Sequence, residues 1–137
     1  MPVVVVDANV IVKWFVEEEG SDRALEIRDK YIGGEIKLVA PEIMVFEVLN
    51  ALHYKRLFTL DEMREISEAL DAFSFELYPL VGDYARKAIE VAYENDITIY
   101  DASYISLAMI KKTYMYTADT RLKDRLKDEY LSYVRWL

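Results

Sequence analysis

The chain contains no cysteine, so no disulfide staples it and no thiolate can act as nucleophile or metal ligand. It has one histidine, His53, and a zinc site would therefore lack its usual nitrogen and sulfur ligands. With only four glycines there is no Gly-rich loop to cradle a phosphate, and Ser103 has no histidine to serve as its base. No uninterrupted apolar run approaches the ~20 residues of a membrane span. The start, Met1-Pro2-Val3, lacks the basic opening and small-residue cleavage site of a signal peptide. The expectation is a cytoplasmic protein with no membrane association. Glutamine is missing and asparagine scarce, while Glu, Lys and Tyr are abundant, a usage that hints at a thermophilic source.

What is present is ample for a core. The chain has 137 residues, 53% of them hydrophobic. That suits a single domain over residues 1–137, burying roughly two thirds of its unfolded surface. Formal net charge is −8, which argues against a general electrostatic clamp on nucleic acid. It leaves room for a nucleic-acid substrate if metal ions neutralise the site.

Residues 2–6 read as a buried strand, short, β-branched and apolar. Residues 8–18 read as a helix that Gly20 breaks. Ser21 is expected to cap a second helix to about residue 31, stopped by Gly33-Gly34. A strand over 36–39 leads to Pro41 and a long helix over 42–56. Asp61 is expected to cap a helix to residue 73, followed by a strand over 75–77 that Pro79 ends. Residues 83–94 are helical, and Asp101 is expected to open the next helix. A strand over 114–117, a short exposed helix over 121–127 and a strand over 131–137 close the chain. Strands alternating with helices through short connections give an α/β class: a three-layer α/β/α sandwich around a mostly parallel sheet. In such sheets ligands bind beyond the carboxyl ends of the strands.

Four acidic residues sit in apolar surroundings. Asp7 ends the run Val3-Val4-Val5-Val6. Glu47 interrupts Ile43-Met44-Val45-Phe46 and Val48-Leu49. Asp101 follows Ile97-Thr98-Ile99-Tyr100, and Asp119 follows Tyr114-Met115-Tyr116-Thr117-Ala118. A lone buried carboxylate costs several kcal/mol unless something pairs with it. No Lys or Arg lies within two positions of Glu47 or Asp101. The ordinary account of Asp7, Asp101 and Asp119 is helix capping. Glu47 lies mid-helix and cannot cap; it shares a face with Asn50, a polar stripe on an otherwise apolar helix. Together the four favour a site over coincidence. Carboxylates without His or Cys suit Mg²⁺, with Mn²⁺ as substitute. That equipment fits hydrolysis of a phosphodiester best. His53, beside Tyr54 and Lys55, reads as an outward helix position.

The residues Val5-Val6-Asp7-Ala8-Asn9, Pro41 with Phe46-Glu47-Val48 and Asn50-Ala51-Leu52, Tyr100-Asp101-Ala102-Ser103-Tyr104, and Thr117-Ala118-Asp119-Thr120-Arg121-Leu122 resemble the PIN domain. More closely they resemble the VapC-type toxins of bacterial and archaeal toxin–antitoxin pairs. The resemblance spans nearly the whole chain, in order and with matching spacing. It implies a Mg²⁺- or Mn²⁺-dependent endoribonuclease acting on RNA, a homodimer, and a small antitoxin as partner. Asp7, Glu47, Asp101 and Asp119 would be its catalytic, metal-holding quartet. Asn9 would orient the first Asp, and Thr117 would be the hydroxyl residue before the last acid. For Asn9 a local backbone bond, and for Thr117 simple β-propensity, are the plain alternatives.

Candidate RNA-holding cations are Lys13, Lys111, Lys112, Arg121, Lys123, Arg125 and Lys127; the run after residue 120 reads more simply as a solvated helix face. Arg121, two residues past Asp119, is singled out. Trp14, Phe15 and Tyr104 are candidates to stack bases, with core packing the better account of Phe15. Val10, Trp14 and the helix through 43–52 are expected to line a groove for an antitoxin segment. Other classes are a PIN nuclease of RNA processing, a phosphoacceptor signalling domain, or a silent interaction module. The signalling reading wants paired acids after the first strand, where this chain has Asp7-Ala8. The silent module would have to keep like charges together, at roughly 3 kcal/mol per pair near 5 Å in an effective dielectric near 20.

Overall fold

A run of four valines fits best where both faces of a strand are covered, and that is where β1 (Val3–Val6) lies. Val4, Val5 and Val6 are at most 1% exposed. The computed structural model describes all 137 residues. β2 (Lys37–Pro41) flanks β1 on one side with Val3 opposite Lys37 and Val5 opposite Val39. β4 (Met115–Thr117) flanks it on the other, with Val6 opposite Tyr116. β3 (Glu76–Tyr78) and β5 (Val134–Trp136) form the edges. The order is β3-β2-β1-β4-β5, and every pairing is parallel. Chain order turns round between β1 and β4, which opens a crevice at their carboxyl ends.

Helices cover the sheet as the three-layer α/β/α sandwich expected, here with a wholly parallel sheet. They are α1 (Ala8–Val12), α2 (Ser21–Ile32), α3 (Ile43–Tyr54), α4 (Leu60–Phe73), α5 (Gly82–Asn95), α6 (Ile99–Ile110), α7 (Leu122–Arg125) and α8 (Asp128–Leu131). α5 packs along α6, α6 lies on β1 and β2, and α1 packs on α3. None is long and apolar enough to cross a membrane.

Several boundaries differ from the sequence expectation. The helix expected over 8–18 stops at Val12. The N–H groups of Lys13, Trp14 and Phe15 bond three residues back, to Val10, Ile11 and Val12, which tightens the chain into a turn. Trp14 anchors that turn through its indole N–H on the Ala24 carbonyl at 2.8 Å. Ser21 does not cap α2. The cap is Gly20, at φ 86°, and the Ser21 hydroxyl instead binds the Glu18 N–H (2.9 Å) and the Val16 carbonyl (3.0 Å). Thr59, not Asp61, caps α4, because it forms a reciprocal capping box with Glu62. Thr98 caps α6 and leaves Asp101 in its first turn. The stretch 121–127 ends as helix at Arg125, since Leu126 turns extended and buries its side chain. α8 then takes Asp128–Leu131, where only Leu131 was expected to be strand, and β5 begins only at Val134.

α3 offers a direct check on where the core lies. Leu52 is fully buried and its neighbour His53 is exposed. Leu52→Ala should cost about 3 kcal/mol in urea unfolding, and His53→Ala less than about 0.5 kcal/mol. Similar costs at both positions would contradict this orientation of the helix.

Candidate active site

The carboxyl ends of β1 and β4 place the first and last acids side by side. Asp7 follows β1 directly, and its N–H donates to the Tyr116 carbonyl of β4 at 3.0 Å. It occupies the N-cap position of α1, yet its side chain makes no cap bond. Its Oδ2 instead accepts from Thr117 Oγ1 at 2.8 Å and from Asn9 Nδ2 at 3.3 Å. Asn9 also donates to Thr117 Oγ1 (3.2 Å) and accepts the Ala118 N–H (3.0 Å). Thr117 is fully buried and takes the Asp119 N–H on the same hydroxyl at 3.0 Å. Four polar residues from two strand ends thus form one network, beyond any local role for Asn9 or Thr117.

Glu47 enters from the middle of α3. Its Oε1 accepts from Tyr104 Oη at 2.6 Å. Asp101 enters from the first turn of α6, its N–H held by Thr98 Oγ1 at 3.0 Å. The structure brings Asp7, Glu47, Asp101, Asp119, Asn9 and Arg121 to the wall of one pocket of about 350 Å³. Thr117 lies beneath it through its bond to Asp7.

The acids differ in their electrostatics. Burial pushes Asp7 up to about 7, and the charges of Glu47 and Asp101 add to the rise while the Thr117 bond opposes it. Burial likewise raises Glu47, with Asp101 adding and the Tyr104 bond opposing. Asp101 is raised by burial and then by Asp119. Asp119 goes the other way, because Arg121 holds its carboxyl below the usual range. Like-charge repulsion is therefore the smaller contribution; removal from water dominates.

No three of the side chains converge closely enough to form a finished cation cage. Glu47 is engaged by Tyr104 and Asp119 by Arg121. The donor set itself, all oxygen with three acids raised chiefly by burial, fits a hard divalent cation.

Sequence reasoning missed one group. Glu18 bridges two lysines, Lys13 Nζ at 2.7 Å and Lys55 Nζ at 2.9 Å, and Glu18 and Lys55 line the pocket. Burial works to raise Glu18, but the two lysines outweigh it and hold the acid low. Nothing in the run Glu17-Glu18-Glu19 marks the middle residue.

Other expectations are corrected. Trp14 and Tyr104 are buried, at 9% and 1% exposure, and cannot stack a base. Val10 and Trp14 line no groove for the same reason. Asn50 faces away from the acidic pocket and lines a separate groove between α3 and α4 with Leu49, Phe58 and Met63. Lys13 is tied to Glu18, while Lys111 and Lys123 lie over the rings of Tyr78 and Trp136 at 4.3 Å and 5.0 Å.

The family profile of the PIN domain matches residues 4–126, and the chain belongs to that family. It is 31% identical over 127 residues to Ribonuclease VapC3 of Pyrobaculum aerophilum, across 88% of this chain and 92% of that protein. Its fold is similar to that in the structure of VapBC2 from Rickettsia felis bound to a DNA fragment from their promoter. That match has a TM-score of 0.68 at 12% identity over 98% of each chain. A toxin-antitoxin complex from Klebsiella pneumoniae aligns with a TM-score of 0.64 at 16% identity, over 86% of this chain and 88% of that one.

The raised Asp7 sets a pH dependence. An acid whose folded pKa exceeds its unfolded value favours the folded state fully below the unfolded value. That advantage is lost as pH rises through the folded value. For Asp7 the window runs from 3.8 to about 7, worth up to about 4 kcal/mol in metal-free protein. Asp7→Asn should match wild type near the acid end of that window and exceed it in melting temperature above the alkaline end. Parallel melting curves across the window would rule out a strained carboxylate at this position.

Proposed function

We propose that this chain is a metal-dependent endoribonuclease, the toxin of a VapBC-type pair, hydrolysing RNA phosphodiester bonds in the cytoplasm. The observation that carries this is the gathering of Asp7, Glu47, Asp101 and Asp119 from four separate segments onto one pocket at the β1/β4 crevice. The 31% identity to a ribonuclease across 88% of the chain supports the activity. We read residues 1–137 as a single domain.

Asp7, Glu47, Asp101 and Asp119 would hold Mg²⁺, or Mn²⁺ in its place. A divalent cation bound there supplies charge neutralisation for the phosphate and acidifies a water. The chain's own residues do the rest. Thr117 and Asn9 fix the Asp7 carboxylate, and Tyr104 fixes Glu47. Buried Thr117 and Tyr104 leave these acids little rotamer freedom, which is the preorganisation a reaction site needs.

A related fold solved as a toxin-antitoxin complex supports an antitoxin partner. Its basic residues would meet the acidic pocket, and an apolar segment would fill the α3/α4 groove lined by Phe46, Leu49, Phe58 and Met63. A second apolar surface supports a homodimer. It carries Phe46, Leu80 and Tyr100 at 74%, 41% and 59% exposure around a pocket of about 290 Å³.

Incubation with total RNA tests the activity. Cleavage should require Mg²⁺ or Mn²⁺ and stop with chelator. Asp7→Asn, Glu47→Gln and Asp101→Asn should each lower kcat by at least about a hundredfold with the fold retained. Full activity in Asp101→Asn would remove the assignment. Expression of the chain alone in bacteria should arrest growth, and co-expression of a small antitoxin from the source cell should restore it. Cleavage without growth arrest would mark an RNA-processing nuclease instead.

A further inference from the structure

Asp119 stands apart from the other acids because the chain already supplies its cation. Its Oδ1 accepts from the Arg121 backbone N–H and from Arg121 Nε, both at 3.0 Å, and its Oδ2 accepts from Arg121 Nη2 at 3.1 Å. A carboxylate offers about four lone-pair positions, so this one arginine occupies most of them. The acid cannot withdraw. Its N–H is bonded to Thr117 Oγ1 at 3.0 Å and its carbonyl accepts the Trp136 indole N–H at 2.9 Å. The arginine can. Its side chain is 76% exposed against 14% for Asp119, and all its hydrogen bonds go to that one carboxylate. Arg121 also lines the same pocket as Asp101, near enough for their charges to interact.

We propose, resting on the metal-dependent reading above, that Arg121 is an internal latch on the pocket. Its fork on Asp119 keeps a divalent cation weakly bound until an RNA phosphate draws the guanidinium away. Cation and RNA then bind cooperatively.

The chemistry follows from the shape of the group. A guanidinium fork matches a phosphate as well as it matches a carboxylate. While it sits on Asp119 it fills lone pairs that a cation needs and sets a positive charge beside the place a second one must occupy. Once it turns to a phosphate, Asp119 recovers both its lone pairs and its charge. The backbone N–H bond persists through the exchange, so Asp119 stays aimed at the pocket. Linkage makes the effect reciprocal: whatever factor RNA adds to cation affinity, the cation adds to RNA affinity. The plain alternative is an exposed ion pair of little consequence, in which case cation affinity is indifferent to it.

Calorimetric titration of Mn²⁺ into wild type, Arg121→Gln and Arg121→Lys separates the two. Each protein is titrated alone and with a short single-stranded DNA as polyphosphate probe. Without DNA, Arg121→Gln should bind Mn²⁺ about tenfold more tightly than wild type. DNA should tighten Mn²⁺ binding severalfold in wild type and leave Arg121→Gln unchanged. Arg121→Lys, which keeps the charge and loses the fork, should fall between. Mn²⁺ binding of equal or lower affinity in Arg121→Gln overturns the latch and leaves the metal-dependent reading standing. Absence of Mn²⁺ binding in all three proteins overturns that reading and the latch with it.

Discussion

Asp7 is delivered into the interior by its strand. Val4, Val5 and Val6 are sealed on both faces, and the next residue, half-buried at the pocket wall, is still largely withdrawn from water. The protein meets the cost of that placement with hydrogen bonds. Thr117 Oγ1 and Asn9 Nδ2 both donate to one carboxylate oxygen. Thr117 can do so because the parallel register sets Val6 opposite Tyr116, one residue before each partner. Pairing β1 with β4 and building the site are thus one event. A slip of one residue would turn Thr117 to the other face of the sheet and leave Asp7 unsupported.

The charges around the pocket are unevenly balanced, and the imbalance carries information. Two cations stand at its rim, Lys55 on Glu18 and Arg121 on Asp119. Both of those acids are held low. Asp7, Glu47 and Asp101 have no ion-pair partner, and all three are raised. Core packing alone would not keep three carboxylates in that condition, since protonation or replacement by amides would relieve it. A further positive charge at the centre of the pocket would relieve it as well.

The sequence made the acids legible for a local reason: each interrupts an apolar run, and an interruption is visible without the fold. Glu47 is the clearest case, since a mid-helix acid cannot be a cap. The alternation of strands and helices was legible in the same way, through period and punctuation. What escaped was competition between neighbours. Thr59 caps in place of Asp61 and Thr98 in place of Asp101, because the side chain that reaches the free N–H groups displaces an equally suitable neighbour, while Gly20 replaces Ser21 because the turn there needs a positive φ and the Ser21 hydroxyl is held by Glu18 and Val16. Long-range partners escaped for a different reason. The hydroxyl of Tyr104 lies 57 positions from Glu47, and Lys55 is 37 positions beyond Glu18. Neither pair has any mark in spacing or composition. The polar stripe of Glu47 and Asn50 was real as helical geometry, but those positions straddle the edge of α3 that separates the pocket from the outer groove.

α3 ties these observations together. One stripe, Met44, Val48 and Leu52, is fully buried in the core. The next carries Glu47 and Ala51 to the acidic pocket. The third sets Phe46 in solvent, at 74% exposure, beside the apolar residues of two grooves. A helix apolar all round is ordinarily buried all round, so an exposed Phe46 next to Glu47 marks a face that the chain alone leaves uncovered. Phe46 and Glu47 share a backbone held by ordinary helical bonds, and a rigid element moves as a unit. One rigid helix thus presents Glu47, held by Tyr104, to the pocket and the adjacent Phe46 to the outer grooves.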